Sequence, residues 1–495
     1  MSALRPRWIV PAALILYLVT AWFSTGFQNA DEHYQIIAFA EAKLGHQVVS
    51  TLPWEYAAQI RSAFLPAICW AVFRAAHAVG VDNPFALAFL LRLLTAMLAF
   101  YAILKFVQST LHLIGPKLHK AYVLLSFFLW FLPFLNVRFT GETWSGLFFL
   151  LGLAALLSPK EKTSRHWRTG ILLGLAFLCR PPVLMMSAGL ILWLAIVHKE
   201  RPRNIFHLVI GMFAIILIGI AVDSWFYGGF TLTAWNYVRM GISGHAGGVF
   251  LNYPWWYYFA WVVKYAIPVF GIPILLAFGT LLLLRPKSII VWVALPFLLL
   301  HVFLPHKELR FLWPLAELVP LMLVLAVEAC MVKWPDRMDA LLQRSVMVPI
   351  GILIMAINVV ALSVVAFTPA GSGRTRLAAQ IRDRWHGEAV HLKYLADERT
   401  VWDIRLPSFY LPHGSTDTLV STSCVPFPPD ARPFELLVAR DPLPSCDYNG
   451  NGTWEEVTSA VPLWSELLMR MYYWADPKPV WRLYEAEPFA AGRAD

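Results

Sequence analysis

The chain has 495 residues, of which 58% are hydrophobic and only 14% charged, and its mean hydropathy is +0.59. A soluble domain carries about 25% charged residues, so a soluble globular enzyme and a disordered chain are both excluded. The composition points to a protein that crosses a membrane several times. Its 40 Lys and Arg against 31 Asp and Glu leave a net charge of +9. In such a protein the excess belongs in cytoplasmic loops and gives no ground for a nucleic-acid partner.

A crossing needs about 20 apolar residues. The first run, 8–27, follows Arg5 and Arg7. It is longer than a signal-peptide core and no cleavage pattern follows, so it is read as a retained span. Further runs lie near 84–106, 121–136, 143–158, 169–181, 182–197, 205–226, 256–283, 288–304, 309–330 and 346–368, eleven in all. The stretch 62–80 is short and carries Arg74 and His77. An amphipathic helix in the outer interface fits it better than a twelfth span. With eleven spans and an inner N-terminus, the inner segments hold 17 Lys or Arg and the short outer ones eight. A twelfth span would invert every later loop against the positive-inside rule.

The eleventh span delivers the C-terminus outside. From about Pro369 the chain turns polar and proline-rich, with short apolar runs at 418–421 and 434–438 among turn signals. The expected architecture is an all-α polytopic domain over 1–368, with a first outer loop at 28–83 carrying juxtamembrane helices. A small α/β or β-rich extracytoplasmic domain follows over 369–495. Five cysteines are too few for a disulfide framework. Cys69, Cys179 and Cys330 sit in apolar settings. Cys424 and Cys446 are either a pair on the oxidising side or two free thiols. Asn451-Gly452-Thr453 is a glycosylation sequon, meaningful in a eukaryotic secretory compartment. No internal repeat, phosphate-binding loop or metal-ligand spacing is visible, so no metal or cofactor is expected.

Ionisable groups at membrane depth are costly and mark functional sites by default. Here they gather at one face. The first outer loop holds Asp31-Glu32-His33-Tyr34-Gln35, Trp54-Glu55 and Arg61-Ser62. Arg138 and Glu142 follow, then Arg180-Pro181-Pro182 and Asp223-Ser224-Trp225-Phe226-Tyr227-Gly228. His245 lies in a glycine-rich outer loop near Trp255-Trp256, and His306-Lys307-Glu308-Leu309-Arg310-Phe311 separates the ninth and tenth runs. An acid near the interface can take a proton from an acceptor hydroxyl. A His-Lys-x-x-Arg cluster can clamp a phosphate through a point charge and a guanidinium fork. A phosphate leaving group at this depth implies a lipid-phosphate donor whose tail lies among the spans.

Three of these motifs resemble those of the GPI and Alg9-type mannosyltransferases, glycosyltransferase family 22. They are Asp31-Glu32-His33-Tyr34-Gln35 with Trp54-Glu55 and Arg61-Ser62, then Asp223-Ser224-x-Phe226-Tyr227-Gly228, then His306-Lys307-Glu308-x-Arg310-Phe311. The resemblance covers 27–330. Ala30 stands where the family often has Pro, and Ala38 where it often has an acid, with Glu41 one helical turn on.

The resemblance implies the GT-C fold and an inverting transfer of a sugar, mannose first among them. The donor would be a polyprenyl phosphate, dolichyl-phosphate mannose in eukaryotic members. The acceptor would be a hydroxyl of an extracytoplasmic glycan or glycolipid. Carried residue by residue, it makes Asp31 the base, with Glu32 as partner or substitute, and His306, Lys307 and Arg310 the donor-phosphate site. His33, Gln35, Trp54, Glu55, Arg61, Arg138, Glu142, Arg180, Asp223, Tyr227 and His245 are candidate substrate contacts. The expected location is a bacterial inner membrane with a periplasmic site, or the ER membrane with a lumenal one. Two alternatives stand beside it. Another GT-C transferase, of the protein O-mannosyl or aminoarabinose type, shares the loop-one acid but lacks the late signature. A transporter or lipid flippase places its charges near the midplane, often in paired repeats.

Overall fold

The structure is a computed structural model. It describes residues 8–159, 165–242, 252–396, 404–420, 435–440, 452–472 and 480–488. Contacts divide the chain into two units. One is the helical body up to Ala366. The other comprises Phe367 onward together with Trp22–Asn29 and Gly80–Phe89.

Each of the eleven apolar runs forms helix, and three of them, 121–136, 256–283 and 309–330, are broken into two segments. Among the described residues, three helices are long and apolar enough to cross a membrane: Pro84–Leu113, Pro202–Tyr227 and Met347–Phe367. Two bent pairs pass the same test together, Pro268–Leu284 with Ile289–Phe303 at 116° and Leu309–Ala316 with Val319–Lys333 at 66°. Length and composition thus support three to five crossings where eleven were expected. Proline is one cause. It cannot donate a backbone hydrogen bond and pushes its predecessor out of helix, so helices end before it and restart on it. Pro133, Pro181, Pro268, Pro314 and Pro320 all sit in the first turn of a helical segment.

The segment after Ile9–Phe23 carries the first motif. Ala30–Glu32 is α-helical, His33–Ile37 makes a π turn, and Ala38–Leu44 resumes the α-helix. Gly45 ends it at φ 85, a conformation that costs glycine nothing. Phe64–Ala78 forms the helix expected at 62–80. It buries Leu65, Cys69, Phe73 and Ala76, a stripe at helical spacing. The end of the 202–227 helix packs there too, with Phe226 against Phe39 and Ala63.

The second unit is α/β. Strands β1 (His391–Leu395), β2 (Thr416–Val420), β3 (Glu435–Arg440), β4 (Gly452–Ser459) and β5 (Trp481–Pro488) form one sheet in the order β2-β1-β3-β5-β4. β1 is parallel to both neighbours, while β5 runs antiparallel to β3 and β4. β2 and β3 coincide with the two short apolar runs. Leu437, Ala439, Trp454 and Tyr484 build the core of one face. Cys424, Cys446 and Asn451 lie outside the described residues.

Candidate functional site

Four segments distant in sequence bring their charges to one partly open cleft, and a fifth adds Thr233, Ala234 and Tyr237. Asp31, Glu32, Arg61, Glu142 and Arg180 line it, with Ile36, Ile60 and Leu178 as its apolar surface. Each carboxylate is placed by local structure. Thr140 caps the helix Gly141–Leu157 by accepting from the Thr143 N–H at 3.1 Å, which fixes Glu142 in the first turn. Gly141 is required there, because a Cβ would stand 2.5 Å from the Cys179 carbonyl. That close approach sets Glu142 3.2 Å from Arg180.

Arg310 is the hub. Its Nη1 lies 2.6 Å from Asp31 Oδ2 and 3.7 Å from Glu142. Its Nε and Nη2 grip Glu308 as a fork, at 2.7 and 3.0 Å. His306 holds Glu308 from the other side at 3.0 Å. Burial pushes the Glu308 carboxyl up, but the hydrogen bonds and charges of His306 and Arg310 outweigh it and hold the group at about 2. Arg61 sits 3.9 Å from Asp31 and 3.8 Å from Glu55, and Glu55 accepts from Gln35 at 3.1 Å. Glu32 pairs with the fully buried Arg138 at 3.8 Å. Arg180 lies over the Phe311 ring, 4.8 Å from its centroid.

Lys307, expected at the donor phosphate, points to backbone carbonyls. It is buried and donates to the carbonyls of His301, Val302 and Leu304, at 3.3 and 2.8 Å for the first two. It therefore caps the C-terminus of the helix Ile289–Phe303 and does not line the cleft. Burial pushes its ammonium pKa down. The reason is geometric: Leu304 ends that helix in extended conformation and turns the lysine back on the last carbonyls.

Asp223 and Tyr227 also brace the loop and do not line the cleft. Asp223 accepts from the Ala63 N–H at 2.6 Å, Ser62 at 3.2 Å and Thr233 at 2.6 Å. Tyr227 donates to the Arg61 carbonyl at 2.8 Å. Trp54 is exposed, and His33 is buried against Tyr34. Neither lines the cleft. His245 lies outside the described residues. Two features escaped the sequence reading. Glu308 was passed over inside its own motif, although an acid between two basic residues is a natural bridge. The helix Thr233–Ile242, whose amphipathic spacing is visible in the sequence, gives the cleft Thr233, Ala234 and Tyr237.

The fold is similar to that of ArnT from Cupriavidus metallidurans bound to undecaprenyl phosphate. The TM-score is 0.53 and the identity 11%, over 88% of this chain and 93% of that one. The apo form of the same protein gives 0.53 at 12% identity over 97% of each chain. That likeness shows a shared fold, and the long apolar helices give the chain the character of a membrane protein. The model of the Alg9-like mannosyltransferase family matches residues 8–375, and the chain belongs to that family. Among curated proteins it is similar to the GPI alpha-1,2-mannosyltransferase 3 of Danio rerio, 25% identical over 53% of this chain and 48% of that one. The Homo sapiens protein of that name is 24% identical over 57% and 51%. The chain thus spans about half the length of the curated relatives it matches.

Proposed function

We propose that the chain transfers mannose from a polyprenyl-phosphate donor to a hydroxyl of a glycan or glycolipid, with inversion at the sugar C1, on the extracytoplasmic face. One observation carries this reading: a carboxylate, Asp31, and two guanidiniums, Arg61 and Arg180, line the same cleft. Family membership supplies the sugar. The undecaprenyl phosphate bound to ArnT supports the class of donor.

Arg310 and Arg61 both approach Asp31 Oδ2, so Oδ1 is assigned the acceptor's proton. As that proton leaves, the hydroxyl oxygen bonds to C1, and the bond from C1 to the phosphate oxygen breaks on the opposite side. Polyprenyl phosphate departs with the electron pair, its charge met by Arg180 and Arg61. Stabilising that charge is the largest expected contribution to the rate. His306, Glu308 and Arg310 hold Asp31 in place, and the phosphate contact first given to Lys307 passes to Arg180 and Arg61. On this reading residues 369–495 form an extracytoplasmic domain.

The test uses the full chain in proteoliposomes with radiolabelled polyprenyl-phosphate mannose and a glycan acceptor. The expected product carries the anomer opposite to the donor's, and Asp31→Asn forms none. Undiminished transfer by a folded Asp31→Asn protein would overturn the base assignment. Transfer from polyprenyl-phosphate aminoarabinose, with none from the mannose donor, would favour the aminoarabinose reading.

A further inference from the structure

A second polar cluster lies along the first loop. Glu41 sits in the Ala38–Leu44 helix, His46 follows the Gly45 turn, and His77 stands in the last turn of Phe64–Ala78. One nitrogen or oxygen from each lies within 4.8 Å of the others. None of the three lines the cleft. Their linear spacing, 5 and 31 residues, matches no compact metal motif, so the fold alone brings them together.

The geometry is close to that of a tetrahedral metal. Ligands about 2.0–2.1 Å from one zinc ion stand about 3.3 Å apart. Glu41 Oε2 and His46 Nδ1 are already 3.2 Å apart. The imidazoles of His46 and His77 meet edge to face, with centroids 5.4 Å apart. His77 needs to close by at most about 1.5 Å, within the reach of a rotation of each ring. The second observation is Glu41 itself. It is buried, and its Oε1 has no hydrogen-bond partner among the described residues. A buried carboxylate oxygen left this way is costly unless a cation meets it, as a zinc ion chelated by both Glu41 oxygens would. The half-exposed side chain of His46 leaves access from solvent.

We propose that Glu41, His46 and His77 bind one zinc ion, as a His2Glu set completed by water. The ion staples the helix that continues from Asp31 to the helix whose first residues, Leu65 and Pro66, line the cleft. It holds two walls of the site and takes no part in the transfer. Two imidazoles and a carboxylate select zinc-like ions over magnesium or calcium.

The test is metal binding by the purified full-length protein, stripped with a chelator and titrated with zinc chloride. Elemental analysis should give one zinc per chain, and cobalt chloride should give the intense visible band of a tetrahedral centre. Zinc should raise the melting temperature. His46→Ala and His77→Ala should each weaken zinc binding at least about 100-fold and abolish the rise. Glu41→Gln keeps the buried shape and should do the same, which guards against a variant that merely misfolds. His391→Ala, in the β-sheet unit, should bind as the parent does. No zinc retained at micromolar concentration, or unchanged affinity in the His46→Ala, His77→Ala double variant, would overturn the proposal.

Discussion

Two acid-centred networks in the helical unit use the same residue types and behave differently. Around Glu200, Arg165 and His166 approach at 3.2 and 3.3 Å, Asn204 donates at 2.8 Å and the Arg201 N–H at 3.0 Å. Burial pushes that carboxyl up, but these bonds and charges outweigh it and hold it at about 2. The network is a local turn closed on itself, joined by one neighbouring helix end. Around Arg310, by contrast, acids arrive from residues 31, 142 and 308, and the attached guanidiniums of Arg61 and Arg180 border open space. Charge density alone does not distinguish a site from a brace. Convergence of distant segments on a surface with room for a ligand does.

The contrast can be broken by substitution. Asp31→Asn should lower transfer about 100- to 10,000-fold while the protein remains folded, measured by single-turnover transfer from labelled donor. Arg310→Ala should cost about 3–5 kcal/mol, because three acids lose a buried partner, and thermal unfolding in detergent reads this directly. Arg310→Lys should recover only part, since an ammonium cannot form the fork to Glu308. Arg180→Ala should weaken donor binding about 10- to 100-fold with a smaller loss of stability, seen as a raised KM.

Glu308→Gln sharpens the comparison through pH. The carboxyl sits at about 2 against an ordinary 4.5. Its contribution is therefore complete above about 4.5 and is lost as pH falls towards 2. Melting temperature should fall less steeply between pH 5 and pH 2 in the variant than in the parent. Glu200→Gln should have the smallest effect on function: about 1–2 kcal/mol of stability, with transfer within about twofold of the parent. Transfer lost as fully as in Asp31→Asn would erase the distinction between the two networks.

Much of the fold is legible from apolar runs, because a helix in lipid must satisfy its own backbone. All eleven runs became helix, and the two short C-terminal runs became β2 and β3. The breaks were less legible, since a proline marks a helix start without stating the bend angle. In the site, Asp31, Arg61, Glu142 and Arg180 were recognisable as charges in the wrong setting. Their pairing was not. Nothing local states that Arg310 will meet an acid 279 positions earlier, or that Lys307 will turn back on its own helix while Arg310, three residues on, faces Asp31. Adjacent residues in a motif part ways at a helix end, and that divergence is set by backbone angles.

The π turn at His33–Ile37 sets the phase between two functions on one short rod. Before it stand Asp31 and Glu32, committed to the cleft; after it stand Phe39 and Glu41, committed to the packed side. A π turn carries one residue more than an α turn, and each residue rotates a helix by about 100°. Deleting a single residue from 33–37 would restore plain helical periodicity and dial the acids away from their guanidinium partners while every side chain kept its identity. A length change of one here should therefore do more harm than several added residues in the 46–53 loop.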